Sequence, residues 1–188
     1  MKNLSMFGKS MVMALGIAGL GTASMMTVQA STKSQSSEAM AAVQSKVSFE
    51  QALNIAQKTV KGDIVSAEFD QNDYSAGGKY EVKVIANNTE YEIDIDADSG
   101  KVLKTKQEKL DNKDIAEYKA MKQAKVNLNQ AMQTAARSVG GTVFEAEFDN
   151  DDGQSVYEIK VAKGDQTHKV MIDAMTGKVI STRLDNDD

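Results

Sequence analysis

The groups most able to do chemistry in this chain are its carboxylates and a single histidine, His168, because cysteine is absent. Without a thiolate or a second imidazole, a hydrolytic triad or a zinc site has nothing to be built from. A disulfide framework and a lipid-modified cysteine are excluded too. His168 falls on the inward-facing set of a strand-like segment, the place of a half-buried packing residue. Asp94, Asp96 and Asp98 alternate ahead of Gly100, a spacing that invites comparison with a calcium loop. An EF-hand needs glycine at its sixth position and an acid at its twelfth, where this chain has Ser99 and Thr105. Alternation on a strand explains the run better, as a solvated face and a turn. Glu68 and Glu147 occupy equivalent positions beside strands bearing Glu81 and Glu158. Paired carboxylates do acid–base work only in a cleft that shifts their pKa values. An open sheet face offers none, so these positions read as wet and structural. The loop Asp149-Asn150-Asp151-Asp152-Gly153 and the tail Asp185 to Asp188 read as solvated acidic stretches. No residue is therefore assigned as catalytic, cofactor-binding or metal-binding, and no cofactor is expected.

The segment before these residues looks like an address. Lys2 and Lys9 precede an uncharged, largely apolar run from Met11 to about Met26, and Thr27-Val28-Gln29-Ala30 follows with small residues at 28 and 30. This is the secretory pattern, with cleavage expected after Ala30. The apolar run is short for a membrane span and is broken by Gly16, Gly19, Gly21 and Ser24. Loss of the segment would remove two of the 22 basic residues and none of the 27 acidic ones, moving the formal charge from −5 to −7. A chain this acidic lacks the basic face that phosphate backbones or anionic lipid require. Neither nucleic acid nor, after cleavage, a membrane is expected as a partner.

An internal repeat positions everything else. Val47 to Val102 aligns with Val126 to Val179, with two extra residues in the first copy's loop Gln71 to Gly78. Ala67-Glu68-Phe69-Asp70 matches Ala146-Glu147-Phe148-Asp149, and Gly100-Lys101-Val102 matches Gly177-Lys178-Val179. Each copy opens on a helix. Ser48 with Gln51, and Asn127 with Gln130, form capping boxes. Ala52, Ile55, Ala56 and Val60 keep helical spacing, as do Leu128, Ala131, Met132, Ala135 and Val139. Gly62 and Gly141 are expected to end the helices in the left-handed conformation. Strands follow, in which Val65, Ala67 and Phe69 share a face, as do Phe144, Ala146 and Phe148. Tyr80, Val82 and Val84, then Tyr91, Ile93 and Ile95, alternate with charged residues. A short last strand covers Lys101 to Leu103. The predicted class is α+β: two tandem modules, each one helix on a small antiparallel sheet. The expected division is a leader at 1–30, a flexible Ser-rich tether at 31–46, modules at 47–105 and 126–183, a charged helical linker at 106–125 and an acidic tail at 184–188.

The order of signals resembles the PepSY domain family. The resemblance rests on the capped helix, the A-E-F-D strand, the strands Y-E-V-K-V and Y-E-I-K-V, and above all Asp96-Ala97-Asp98-Ser99-Gly100-Lys101-Val102 with Asp173-Ala174-Met175-Thr176-Gly177-Lys178-Val179. The family occurs in propeptides of thermolysin-type metallopeptidases and in exported bacterial proteins, and has no shared catalytic residues to carry over. The resemblance implies an exported, non-catalytic binding or regulatory protein, secreted or wall-associated, whose partner is an extracellular peptidase or an envelope protein. The alternative is a structural envelope protein that binds wall polymer or cations.

Overall fold

The computed structural model describes residues 38–71, 77–151 and 153–185. The expected leader and most of the tail lie outside them. Among the described residues are four helices: α1 at 38–44, α2 at Phe49–Thr59, α3 at Asn112–Gln123 and α4 at Leu128–Val139. The strands are β1 (Asp63–Asp70), β2 (Lys79–Ala86), β3 (Thr89–Asp96), β4 (Val102–Lys109), β5 (Thr142–Asp151), β6 (Gln154–Lys163), β7 (Gln166–Asp173) and β8 (Val179–Leu184).

Both capping boxes form as expected. Gln51 N donates to Ser48 Oγ at 3.2 Å and Ser48 N to Gln51 Oε1 at 2.8 Å; the Asn127 and Gln130 pair repeats this at 2.9 and 3.0 Å. The apolar stripes of α2 and α4 lie on one face of the sheet, over Tyr80, Val82, Val84, Ile93 and Ile95 and over their repeats. Each such wholly buried aliphatic side chain contributes about 1.5–3 kcal/mol.

The two sheets expected from the repeat are one. All eight strands form a single antiparallel sheet in the order β4-β3-β2-β1-β5-β6-β7-β8. The modules meet where β1 pairs with β5: Ser66 opposes Glu147, Ala67 opposes Ala146 and Glu68 opposes Glu145. Ala67 and Ala146 are equivalent in the repeat, so a local two-fold axis passes between them and exchanges the modules.

Several details differ from the sequence reading. Val65 does not share the face of Ala67. The register slips between Ile64 and Ser66, a bulge that gives the helix side to Ile64 and turns Val65 to the other side, where it packs with Ile85 and Leu110. Phe144 occupies the same bulge in β5. Residues 106–109, expected in a helical linker, complete β4, because their alternating side chains pair along β3 down to Thr89. Asp149 to Asp151 extend β5 instead of forming a loop. Residues 38–44, expected in a flexible tether, are helical, since alanine favours helix and Ala39 and Ala42 find a core to enter. α1 is the repeat counterpart of the second half of α3.

Gly62 and Gly141 are not left-handed. Helix α2 ends on extended Val60, and α4 ends on Gly140 at φ 73°. The two glycines serve close approach instead. A Cβ on Gly62 would lie 2.4 Å from the Ile85 carbonyl oxygen, and one on Gly141 2.3 Å from that of Ala162. Gly62→Ala and Gly141→Ala should each lower stability by about 1–3 kcal/mol, through backbone displacement. Gly153→Ala, which meets nothing within 4 Å, should cost only its left-handed strain of about 1–2 kcal/mol. Urea unfolding checks this; no loss of stability in Gly62→Ala and Gly141→Ala would contradict the close-approach role.

Candidate functional site

The sheet face away from α2 and α4 is a ladder of charges. Its positions are set by strand alternation: whatever opposes Ala67, Tyr80, Ile93 and their repeats must point the other way. Around the two-fold axis stand Ser66, Glu68, Glu81 and Lys83 from the first module and Glu145 and Glu147 from the second, enclosing a crevice of about 10 Å³. These acids were expected to be wet. Glu81 and Glu147 are instead buried, at 7 % and 9 % exposure. For Glu147 the cause is the joining of two sheets into one, which removes the edge at β5 that would have exposed it; Glu81 lies on β2, between β1 and β3 of its own module.

Glu147 feels this most. Burial pushes its carboxyl up to about 8, and the neighbouring carboxylates of Glu145, Glu158 and Asp149 push the same way, against the ammonium of Lys169. Around it the ladder is compensated. Lys160 lies 2.8 Å from Glu145, and Lys169 pairs with Glu158. Towards β3, Lys79 Nζ lies 3.2 Å from both Glu81 and Asp94. Burial disfavours the charge on Lys79, but the Asp94 and Glu81 carboxylates outweigh it and raise its pKa. Glu81, Glu92 and Asp94 bring carboxylate oxygens within 4.8 Å of one another, close enough to share a metal ion. The ammonium of Lys79 already supplies a cation to two of them, and Lys106 pairs with the third, Glu92.

The helix that precedes each module reaches the other one. On α3, Tyr118 donates to Asp63 Oδ2 at 2.5 Å and Lys122 approaches it at 3.0 Å. Burial works against the Asp63 charge, yet these two donors prevail and lower its pKa, while burial and the Asp63 bond push Tyr118 up to about 12. On α1, burial raises the pKa of Glu38, which lies near Gln71 and Asp70 and within the field of Glu145 and Lys160 of the second module.

The alternating aspartates resolve into different roles. Asp94 belongs to the ladder. Asp96 accepts from Ser99 N at 2.8 Å and Ser99 Oγ at 2.6 Å, and Asp173 accepts from Thr176 N at 2.7 Å and Thr176 Oγ1 at 2.8 Å. Those bonds hold both aspartates below the usual carboxylate range and fasten the turn that Gly100 and Gly177 complete at φ 71°. The alanine after each aspartate accepts the N–H of Val47 or Val126, at 2.9 and 3.1 Å. The carbonyls of those same valines accept from Tyr80 Oη at 2.6 Å and Tyr157 Oη at 2.7 Å. Each repeat motif is thus a clamp on the peptide that enters the helix. His168, half-buried opposite Val161 and Leu184, has a buried Nε2 without a hydrogen-bond partner among the described residues.

The sheet's two edges are repeat counterparts that differ in charge. Both open with a bulge, at Leu103 and at Ile180. Beyond it β4 carries Lys104, Lys106, Glu108 and Lys109, whereas β8 carries only Arg183. On β8, Val179, Ile180 and Leu184 are each 40–45 % exposed. The sequence held this contrast, but without the strand order nothing marked β4 and β8 as edges.

The chain is thus a repeated mixed α+β module in which each recurring turn motif serves as a structural clamp. The sequence profile of the Peptidase propeptide and YPEB domain, PepSY, matches residues 46–106 and 125–183, and the chain belongs to that family. Proteins with this domain are generally non-catalytic, in peptidase propeptide or regulatory roles. Among relatives, the uncharacterized protein YkoJ of Bacillus subtilis (strain 168) is 27 % identical over 139 residues, which is 73 % of this chain and 74 % of YkoJ. Among solved structures, a candidate lipoprotein (CD1622) of Clostridium difficile 630 is 29 % identical over 75 % of this chain and 95 % of its own, at a TM-score of 0.48. The C-terminal domain of Bacillus megaterium YpeB is 16 % identical over 74 % of this chain and 66 % of its own, at a TM-score of 0.31. No helix among the described residues is long and apolar enough to cross a membrane.

Glu147 makes stability depend on pH. Between the ordinary glutamate pKa of 4.5 and the folded value of about 8, the folded chain holds a proton that the unfolded chain has released. Stability must therefore fall as pH rises through that window, by an amount on the order of a few kcal/mol, and level off above it. Glu147→Gln should flatten that fall, matching the parent at pH 5 and exceeding it at pH 9 in urea unfolding. Parallel curves for the two proteins would show that Glu147 ionises freely.

Proposed function

We propose that this chain is an exported, non-catalytic regulatory protein that engages an extracellular or cell-surface peptidase through the open edge strand β8. The observation that carries this reading is the contrast between the edges. Edge strands that must stay single are guarded by charge, lysine above all, as β4 is. β8 is nearly neutral and apolar, and leaves backbone groups able to pair with an extended segment of another protein. The family's link to peptidase propeptides supports a peptidase as that partner. The leader-like start at 1–30 and the lipoprotein character given to the Clostridium relative support a place outside the cell or at its surface.

The test adds the purified chain to fractionated secreted peptidases of the producing bacterium and follows casein hydrolysis. The parent should change the activity of one fraction and co-elute with it. Leu184→Lys should weaken that effect at least tenfold, and Leu103→Lys on β4 should leave it intact. No change in any fraction, with the chain instead retained on purified wall polymer, would replace the regulatory reading with a wall-binding one.

A further inference from the structure

A groove runs between α2 and α4. The axis through Ala67 and Ala146 sets these helices side by side in opposite directions on one face of the sheet. Three adjoining cavities of about 320, 170 and 280 Å³ fill the space between them. The first two share Gln57, Ile64 and Asn129; the last two share Glu50, Met132 and Gln133. Together they have the size of small-ligand sites, which is about 300–1,000 Å³.

The lining is of two kinds. Leu53, Ile64, Met132 and Val143 supply apolar surface. Four carboxamides line the walls, Asn54 and Gln57 on α2 and Asn129 and Gln133 on α4. Spacings of three and four residues put each pair on one side of its helix. All four are exposed, and none makes a hydrogen bond among the described residues. A carboxamide offers a donor and an acceptor, the same pair that each peptide unit presents. The charges are few. Asp63 and Lys122, at one mouth, satisfy each other at 3.0 Å. Glu50 alone has no ion pair among the described residues.

We propose that this groove binds an extended peptide segment of another protein, neutral to basic in charge, gripped by its main chain through the four carboxamides. A wall as long as α2, with its 11 residues, measures about 16 Å. That accommodates about five extended residues at roughly 3.3 Å each. Main-chain recognition makes the site tolerant of sequence, and Glu50 sets the charge preference. The site is separate from β8 and does not depend on what β8 engages.

The test is fluorescence polarisation with end-blocked, fluorescein-labelled hexapeptides of three compositions: Ser/Val/Thr only, the same with two Lys, and the same with two Glu. The neutral and Lys peptides should bind, the Glu peptide at least fivefold more weakly. Asn54→Ala with Gln133→Ala should weaken both binders at least tenfold while keeping the parent's urea midpoint. Glu50→Gln should abolish the preference for Lys without weakening the neutral peptide. Leu184→Lys should change nothing. The proposal is overturned if no peptide binds, if the double variant binds as the parent does, or if Leu184→Lys removes binding and so places it on β8.

Discussion

Everything in this molecule depends on the antiparallel pairing of β1 with β5, where Ala67 lies against Ala146. A module of about 60 residues buries too little surface to be more than marginally stable alone. Pairing their first strands turns two marginal sheets into one and reduces four exposed edges to two. It also gives the repeat its two-fold arrangement. From that axis follow the opposed helices α2 and α4, the groove between them, and the reach of α3 and α1 to the module each does not precede. The two alanines, 2 % and 0 % exposed, keep the junction narrow.

The same pairing has an electrostatic consequence. The A-E-F-D strands bring Glu68 opposite Glu145, and Glu147 beside Ser66, at the centre of a wide sheet. An acid that would be solvated at an edge is buried there, and Glu147 keeps its proton near neutral pH. Lysines further out, Lys79, Lys160 and Lys169, hold the flanking carboxylates. The carboxylates that flank Glu147 on the open face are thus held by lysines of that same face.

Much of the fold was legible because local chemistry dictated it. The capping boxes at Ser48 and Asn127, the buried stripe of α4 and the alternation in β3 formed as their patterns require, and the two copies agreed in phase. In β2 the apolar residues face the helices as expected, but Glu81 and Lys83 on the opposite face are buried too. The bulge at Val65 was not legible, because strict alternation gives no sign of an inserted residue. The roles of Gly62 and Gly141 were misassigned for a related reason. A glycine after a helix suits either a left-handed cap or a close approach, and only the position of the Ile85 carbonyl decides. The helical nature of residues 38–44 was hidden by the Ser-rich run before it. A signal existed: Glu38, Ala41, Gln44 and Lys46 recur as Glu117, Ala120, Gln123 and Lys125, extending the repeat upstream of Val47. The burial of Glu147 could not be read at all, since it follows from the joining of two sheets that no local pattern encodes.

That joining is most directly tested by native-state hydrogen exchange across a urea series. If β1–β5 pairing makes one cooperative sheet, the slowest amides of β2 and of β6 will open with the same free energy and the same urea dependence, both equal to global unfolding. If instead the β2 amides exchange through an opening that leaves β6 protected, or the reverse, the modules fold independently and the continuous sheet is not what holds the molecule together.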